Sequence, residues 1–306
     1  MRALRLAAVM APLLLLTACD DAWFGDSDRY REDFHYSYPL GPGGRLSVEN
    51  MNGSIEINVW EKNEVEINGT KYAPSEQTLK DIKIDISATP SAVAVRTVPT
   101  FTIRNGGAKY SIRVPRRVQL DRVVSSNGGI RVFDVEGMAH LKSTNGGIRV
   151  SRLKGELDAR TSNGGIEAVD HSGDAILHTT NGGINVDLTQ GSLEAGTSNG
   201  SIEARLAKGD TAKPVRLEST NGHIEVSLET PRELRASTSN SSIVLRMPES
   251  SGAKVRARTS NSSISTDFES LSRAMISKNA MDGSIAGGGP LIDLSTSNGS
   301  IKVLRR

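Results

Sequence analysis

Glu156 and Asp174 are carboxylates 18 residues apart. In a chain that repeats with that period they would stand one strand spacing apart, near the ~5 to 5.5 Å used by retaining glycosidases. Both follow a glycine, Gly155 and Gly173, where polar residues are ordinary turn material, so their spacing alone does not make a catalytic pair. The five histidines, His35, His140, His171, His178 and His223, show no ligand spacing; His140 and His178 read as outward surface residues. No Ser-His-Asp arrangement, phosphate loop or nucleotide fingerprint occurs. Cys19 is the single cysteine, so no disulfide is available to hold the fold.

The elements that would position these side chains follow from the repeat. Asn-Gly-Gly-Ile begins at Asn127, Asn145, Asn163 and Asn181, and Asn199 opens Asn-Gly-Ser-Ile. A second glycine series, Gly137, Gly155, Gly173, Gly191 and Gly209, keeps the same period, so each unit has two corners and two short straight runs. Between the corners apolar residues alternate: Ala139, Leu141, Ser143 and Asn145, then Ile148 and Val150. That is the period of a strand. Leu141, Ala159, Leu177 and Ala195 form one column in which large and small residues alternate. Eighteen residues are too few for two hairpins, and no apolar stripe has helical spacing. The fold class is therefore all-β: a parallel β-helix, or β-solenoid, of about 18-residue, two-corner rungs stacked at about 4.8 Å.

In that geometry each corner Asn stacks on the Asn of the next rung. Its parity with Thr161 and Thr179 points it inward, giving a buried amide ladder that satisfies turn backbone, with a Ser/Thr ladder beside it. Asn221, Asn240, Asn261 and Asn298 continue the column, with Asp282-Gly-Ser-Ile as a further elbow. Extra residues between elbows, such as 207–214 and 247–252, are expected as loops at the opposite corner. The chain ends on Arg305 and Arg306, so the last rung is expected to be an open edge. Asn52-Gly53-Ser54-Ile55 reads as a first rung, interrupted by an insertion over 61–115. Strands are expected there at 64–68, 83–87, 93–98 and 110–114, with a short helix at 75–81. Ten of the twelve aromatic residues precede Pro115, as suits a cap that seals the end of a solenoid.

Partners can be narrowed. With 37 basic and 35 acidic residues the net charge is +2, without the bias that draws a protein to nucleic acid. Only Phe133 and Phe268 lie in the long repeat, too few rings for a groove along it that recognises bases or sugars by stacking. A calcium β-roll needs Asp soon after Gly-Gly, whereas Gly146-Gly147 is followed by Ile148-Arg149-Val150. No metal or cofactor is expected. Arg131, Arg149, Glu167, Asn185 and Glu203 fall in one outward column, a surface charge ladder with weak exposed pairs.

The N-terminus is a separate segment. Arg2 and Arg5 precede the apolar run 6–16, too short for a permanent span and of secretory-signal type. Leu16-Thr17-Ala18-Cys19 resembles the lipobox of bacterial lipoproteins, which implies acylation of Cys19 and attachment to the membrane. Asp20 resembles the inner-membrane retention signal of enterobacterial lipoproteins, implying the periplasmic face of the inner membrane, with the outer membrane as alternative. The organisation is then 1–18 signal peptide, 19–33 acidic tether, 34–115 first rung and cap, and 116–306 solenoid.

The Asn-Gly-[Gly/Ser]-Ile elbows, the Val135-Glu136-Gly137 corner, the upstream rung 46–60 and Ile112-Arg113-Val114-Pro115 together resemble the bacterial putative-adhesin family of β-strand-repeat envelope proteins, over about residues 34–306. The resemblance implies a β-solenoid and a non-enzymatic adhesin, scaffold or sensor that meets an envelope protein or polysaccharide. It carries no catalytic residues. The competing reading is a carbohydrate-active β-helix enzyme, lyase or hydrolase, acting in the periplasm. An outward groove with clustered carboxylates and an arginine beside them would favour that enzyme.

Overall fold

Alternating burial along every rung is what builds the stack. The computed structural model describes residues 29–99, 105–207, 213–269 and 271–306. Cys19, the signal peptide, most of the tether and Gly209 lie outside the described residues.

Two long sheets face each other across one apolar core, one of 13 strands and one of 14. Each rung gives one strand to each sheet. Ala139–Ser143 lies in the first-run sheet and Ile148–Ser151, after the Asn corner, in the other. The next rung repeats this as Leu157–Arg160 and Ile166–Ser172. Pairing is parallel and in register, Ile148 beside Ile166 and Leu141 beside Ala159, then Ala159 beside Leu177 and Leu177 beside Ala195. All are buried. Leucine over alanine lets successive layers interdigitate at close packing.

The first rung is Gly44–Asn50 and Ile55–Trp60, and it pairs directly with the rung that carries Asn127. The insertion extends both sheets beyond it, through Gly107–Pro115 and Glu64–Ala73 on one and Ala92–Pro99 and Ile82–Thr89 on the other. A single helical turn and a half, Glu76–Asp81, bridges the two edges, with Ser75 Oγ accepting from Thr78 N–H at 3.1 Å as its cap. That Ser is a helix-start signal readable in the sequence. The strand Tyr30–Pro39 pairs antiparallel with Glu64–Ala73. It starts inside the segment expected as tether, because Phe34 and Tyr38 pack against the core.

The C-terminal end departs from expectation in two ways. First, Asp282 is not a corner. It lies within the strand Ala280–Ile285, which pairs antiparallel with Ala253–Thr259 and Leu271–Ile276. Secondly, the last rung is not an edge. Leu291–Thr296 lies between Leu234–Thr238 and Ala253–Thr259, and Ile301–Arg305 between Ile243–Met247 and Ile264–Thr266. The chain therefore skips one rung height at Pro248–Ser251, lays down a rung, and returns to fill the gap. Apolar matching drives this: Ile292, Leu294, Ile301 and Val303 are all fully buried between the rungs on either side.

Candidate functional site

The Asn corner consists of two columns with different tasks. Asn145 Nδ2 donates to Asn127 Oδ1 at 2.6 Å, Asn163 to Asn145 at 2.7 Å, Asn181 to Asn163 and Asn199 to Asn181 at 2.8 Å. The ladder continues through Asn221, Asn240, Asn298 and Asn261 in that spatial order, and starts where Asn127 donates to Asn52. These Asn side chains are exposed, which corrects the expected buried ladder. The chain turns between the Ser or Thr and the Asn, so strand parity no longer holds at the Asn. The buried column is Ser143, Thr161, Thr179, Thr197, Ser219 and Thr238. Thr161 Oγ1 donates to the Gly146 carbonyl of the preceding rung at 2.8 Å and accepts from Gly164 N–H at 3.4 Å. The Ser/Thr hydroxyls thus satisfy the first-glycine N–H and carbonyl of these turns, whereas from Asn127 onward the ladder amides bond one another and Asn52 Nδ2 donates to the Gly106 carbonyl at 2.7 Å.

The two glycines after each Asn differ as sharply. A Cβ on Gly146, Gly164 or Gly182 would run into the carbonyl of the equivalent glycine one rung earlier, so stacking demands glycine there. A Cβ on Gly129, Gly147 or Gly183 would come no closer than 3.3 Å to the next rung's carbonyl, and later rungs carry Ser201, His223 and Ser242 at this place. Gly147, Gly165 and Gly183 are exposed. With Arg131, Arg149, Glu167 and Asn185 they line an open groove of about 690 Å³ along the stack. The wall charges are paired: Arg149 lies 2.6 Å from Glu167 and Arg131 3.4 Å from Glu56.

The opposite corner carries a column that sequence reasoning missed. Asp134, Arg152 and Asp170 all adopt left-handed backbone, at φ 64°, 53° and 53°, and recur every 18 residues. Arg152 grips Asp134 through two bonds, 2.6 and 2.9 Å, which lowers the Asp134 pKa and raises that of Arg152, each chiefly through the hydrogen bond. The spacing was visible; the left-handed turn was not. His171 was also missed. It is fully buried beside Leu188, in the column of an aliphatic. Neither ring nitrogen makes a hydrogen bond, and burial lowers its pKa despite the nearby backbone of Asp174 and Leu153. Arg232 is buried here too, donating to the Ala207 carbonyl at 3.3 Å. Its neighbours in sequence, a proline and two acids or polars, gave no hint of burial.

Glu156 and Asp174 line a second groove, of about 530 Å³, with Glu194, Glu233, Arg216 and Arg235. Asp174 accepts from Ser192 N–H at 2.8 Å and from Lys213 Nζ at 3.1 Å. The Ser192 amide, then its hydroxyl, then Lys213 hold its carboxyl below the usual range. A glycosidase acid needs a raised pKa, so Asp174 is displaced in the wrong direction for that role. His178 sits over Gly196, 3.5 Å from Glu194, and His140 is half-buried against the Asp121 carbonyl at 3.2 Å. Among the described residues no group of three or more His, Cys, Asp or Glu is disposed to hold a metal ion.

These features define a class: a repeat-built parallel β-solenoid with an amide-laddered corner and a sealed N-terminal end. Residues 45–304 match the Toastrack DUF4097 family, and the chain belongs to it. No curated protein matches the chain in sequence. Solved structures similar to it include a "putative cell adhesion protein" from Clostridium sporogenes, 10% identical, covering 90% of this chain and 100% of that one at a TM-score of 0.25. Others are a "putative adhesin" from Bacteroides fragilis, 10% identical over 90% and 97% at 0.35, and one from Parabacteroides merdae, 11% identical over 89% and 96% at 0.42.

Proposed function

We propose that this chain is a non-enzymatic cell-envelope lipoprotein, an adhesin or scaffold that presents the side of its solenoid to a protein or polymer partner. The observation that carries the reading is the state of the outward side chains. Along the stack many outward charges pair across rungs, as in Arg149 with Glu167, Arg152 with Asp134 and Lys154 with Glu136, or within one, as in Arg160 with Asp158. The carboxylate best placed for chemistry, Asp174, is committed to Ser192 and Lys213. A regular, neutral, mostly flat side suits recognition of an extended partner better than attack on one bond.

Cys19 would carry the lipid, with residues 20–29 as the lead into Tyr30–Pro39 and the periplasmic face of the inner membrane as the first site. Replacing Cys19 by Ser is expected to release the chain from membranes; unaltered detergent partitioning would overturn the anchor. A crosslinking pull-down from the native envelope tests the partner.

One observation favours the carbohydrate-active enzyme as second reading: the groove with Glu156 and Asp174 also holds Glu194, Glu233, Arg216 and Arg235. Shortened glycan products from the purified chain, abolished by Glu156→Gln, would establish it.

A further inference from the structure

We infer that the groove beside the Asn corner binds an uncharged, hydroxyl-rich glycan lying along the stack. The inference rests on the binding-surface reading above and names its ligand.

Three independent features converge. The floor carries unspent donors. In each rung the carbonyl after the Asn-Gly pair accepts from the neighbouring rung, as Gly147 O does from Ile130 N–H at 3.0 Å and Gly165 O from Ile148 N–H at 2.9 Å. The N–H groups of Gly129, Gly147, Gly165 and Gly183 have no acceptor among the described residues. Backbone donors left in this way are normally given to water or a ligand. They recur once per rung, which makes a row of equivalent donors rather than a single point.

The wall is neutral. Arg131, Arg149, Glu167 and Glu203 all have partners of opposite charge, Glu203 through Arg205, so neither a polyanion nor a polycation gains much there. What remains are paired guanidinium and carboxylate edges that can donate to and accept from hydroxyl groups.

The repeat selects the polymer. An extended peptide advances about 3.3 Å per residue and loses register with rungs spaced about 4.8 Å apart, whereas a pyranose unit is close to one rung in length. Nor can a peptide add as a strand here, because the ladder bonds of these rungs already run along the stack to their neighbours. The groove is also bounded. Glycine occupies the floor in only four successive rungs, before Ser201 and His223 place side chains on it. Since Ser201, Ser242 and Ser300 stand at this place in other rungs, the open floor is a property of this stretch and not a demand of the fold.

The test is calorimetric titration of the full-length chain with trimers and hexamers of cellulose and chitin oligosaccharides. A hexamer should bind roughly threefold tighter than its trimer, because the four-rung glycine floor has room for one unit beyond three. The double variant Gly147→Gln, Gly165→Gln fills the floor and should lose binding, while Gly147→Ser, Gly165→Ser, matching later rungs, should melt like the parent. Glu167→Ala weakens binding from the exposed wall without touching the floor, which keeps the test valid if the glutamine variant misfolds. Binding unaffected by both floor and wall variants, or lost only with Arg235→Ala in the opposite groove, would overturn the site. Failure of every oligosaccharide to bind the folded chain, or capture of an extended peptide in the groove, would overturn the glycan and leave the binding-surface reading standing. Release of shortened oligosaccharides would overturn both.

Discussion

Thr179→Val and Asn163→Ala distinguish the two columns of the corner by their cost. Thr179 Oγ1 donates to Gly164 O at 2.8 Å and accepts from Gly182 N–H at 3.3 Å, within a buried column. Valine keeps the shape and leaves both part-buried backbone groups without their protein partner. Each such group costs about 1 to 3 kcal/mol, and the acceptor bond is long, so the sum is about 2 to 4 kcal/mol. Asn163 makes one bond to Asn145 and receives one from Asn181, both at the exposed edge. Water replaces them when the side chain is removed, and the expected cost is about 1 kcal/mol or less. In a repeat chain a local fault also weakens both adjoining interfaces, which adds to the threonine effect more than to the asparagine one. Urea unfolding of the parent and both variants measures the difference, provided the slopes agree. Equal losses, or a larger loss for Asn163→Ala, would refute the assignment of turn satisfaction to the hydroxyls.

The remaining expectations follow from the same geometry. Gly146→Ala should destabilise by about 1 to 3 kcal/mol or more through collision with the Gly128 carbonyl, whereas Gly147→Ser should change the melting point little; equal effects in a thermal scan would contradict the contrast. His171 has a lowered pKa in the fold, so below about 6.5, the ordinary histidine value, the unfolded chain binds more protons and stability falls with falling pH. His171→Leu, matching Leu153 and Leu188, should remove that part of the slope in denaturant titrations across this range, and an unchanged slope would sink the assignment. Deleting residues 291–306 should expose 253–285 to protease, since the missing rung lies between that segment and the main stack; resistance like the parent's would contradict the interleaved order.

Much of the fold was legible because its cause is periodic. Ile at each rung start and alternating Leu and Ala in one column fix which face is buried, and a fixed period fixes register. Even the cap strands and the Ser75 helix start were marked by alternation and a capping residue. The misreadings fall where a local pattern does not determine the geometry. Asn163 has the parity of Thr161, yet the corner intervenes and turns it outward. Asp282-Gly-Ser-Ile has the letters of an elbow, yet Met281 and Ile285 are buried within a continuous strand. The return of Leu291–Thr296 to an earlier rung height is a matter of pairing partners, which a local pattern does not encode. The groove was half legible, since its wall column was identified, but the open floor depends on which of two adjacent glycines is held by stacking.

Recognition of a partner without its transformation, the role proposed for the flank of this solenoid, predicts contact with that partner on one face. The most direct measurement places a photocrosslinking residue at Arg149, in the groove, and separately at Glu218, on the opposite sheet, of the full-length chain in its native cells. A defined adduct from position 149 and none from position 218, with the partner recovered intact, is the expected result. No adduct from 149, equal adducts from both, or a partner recovered as cleaved glycan would contradict it.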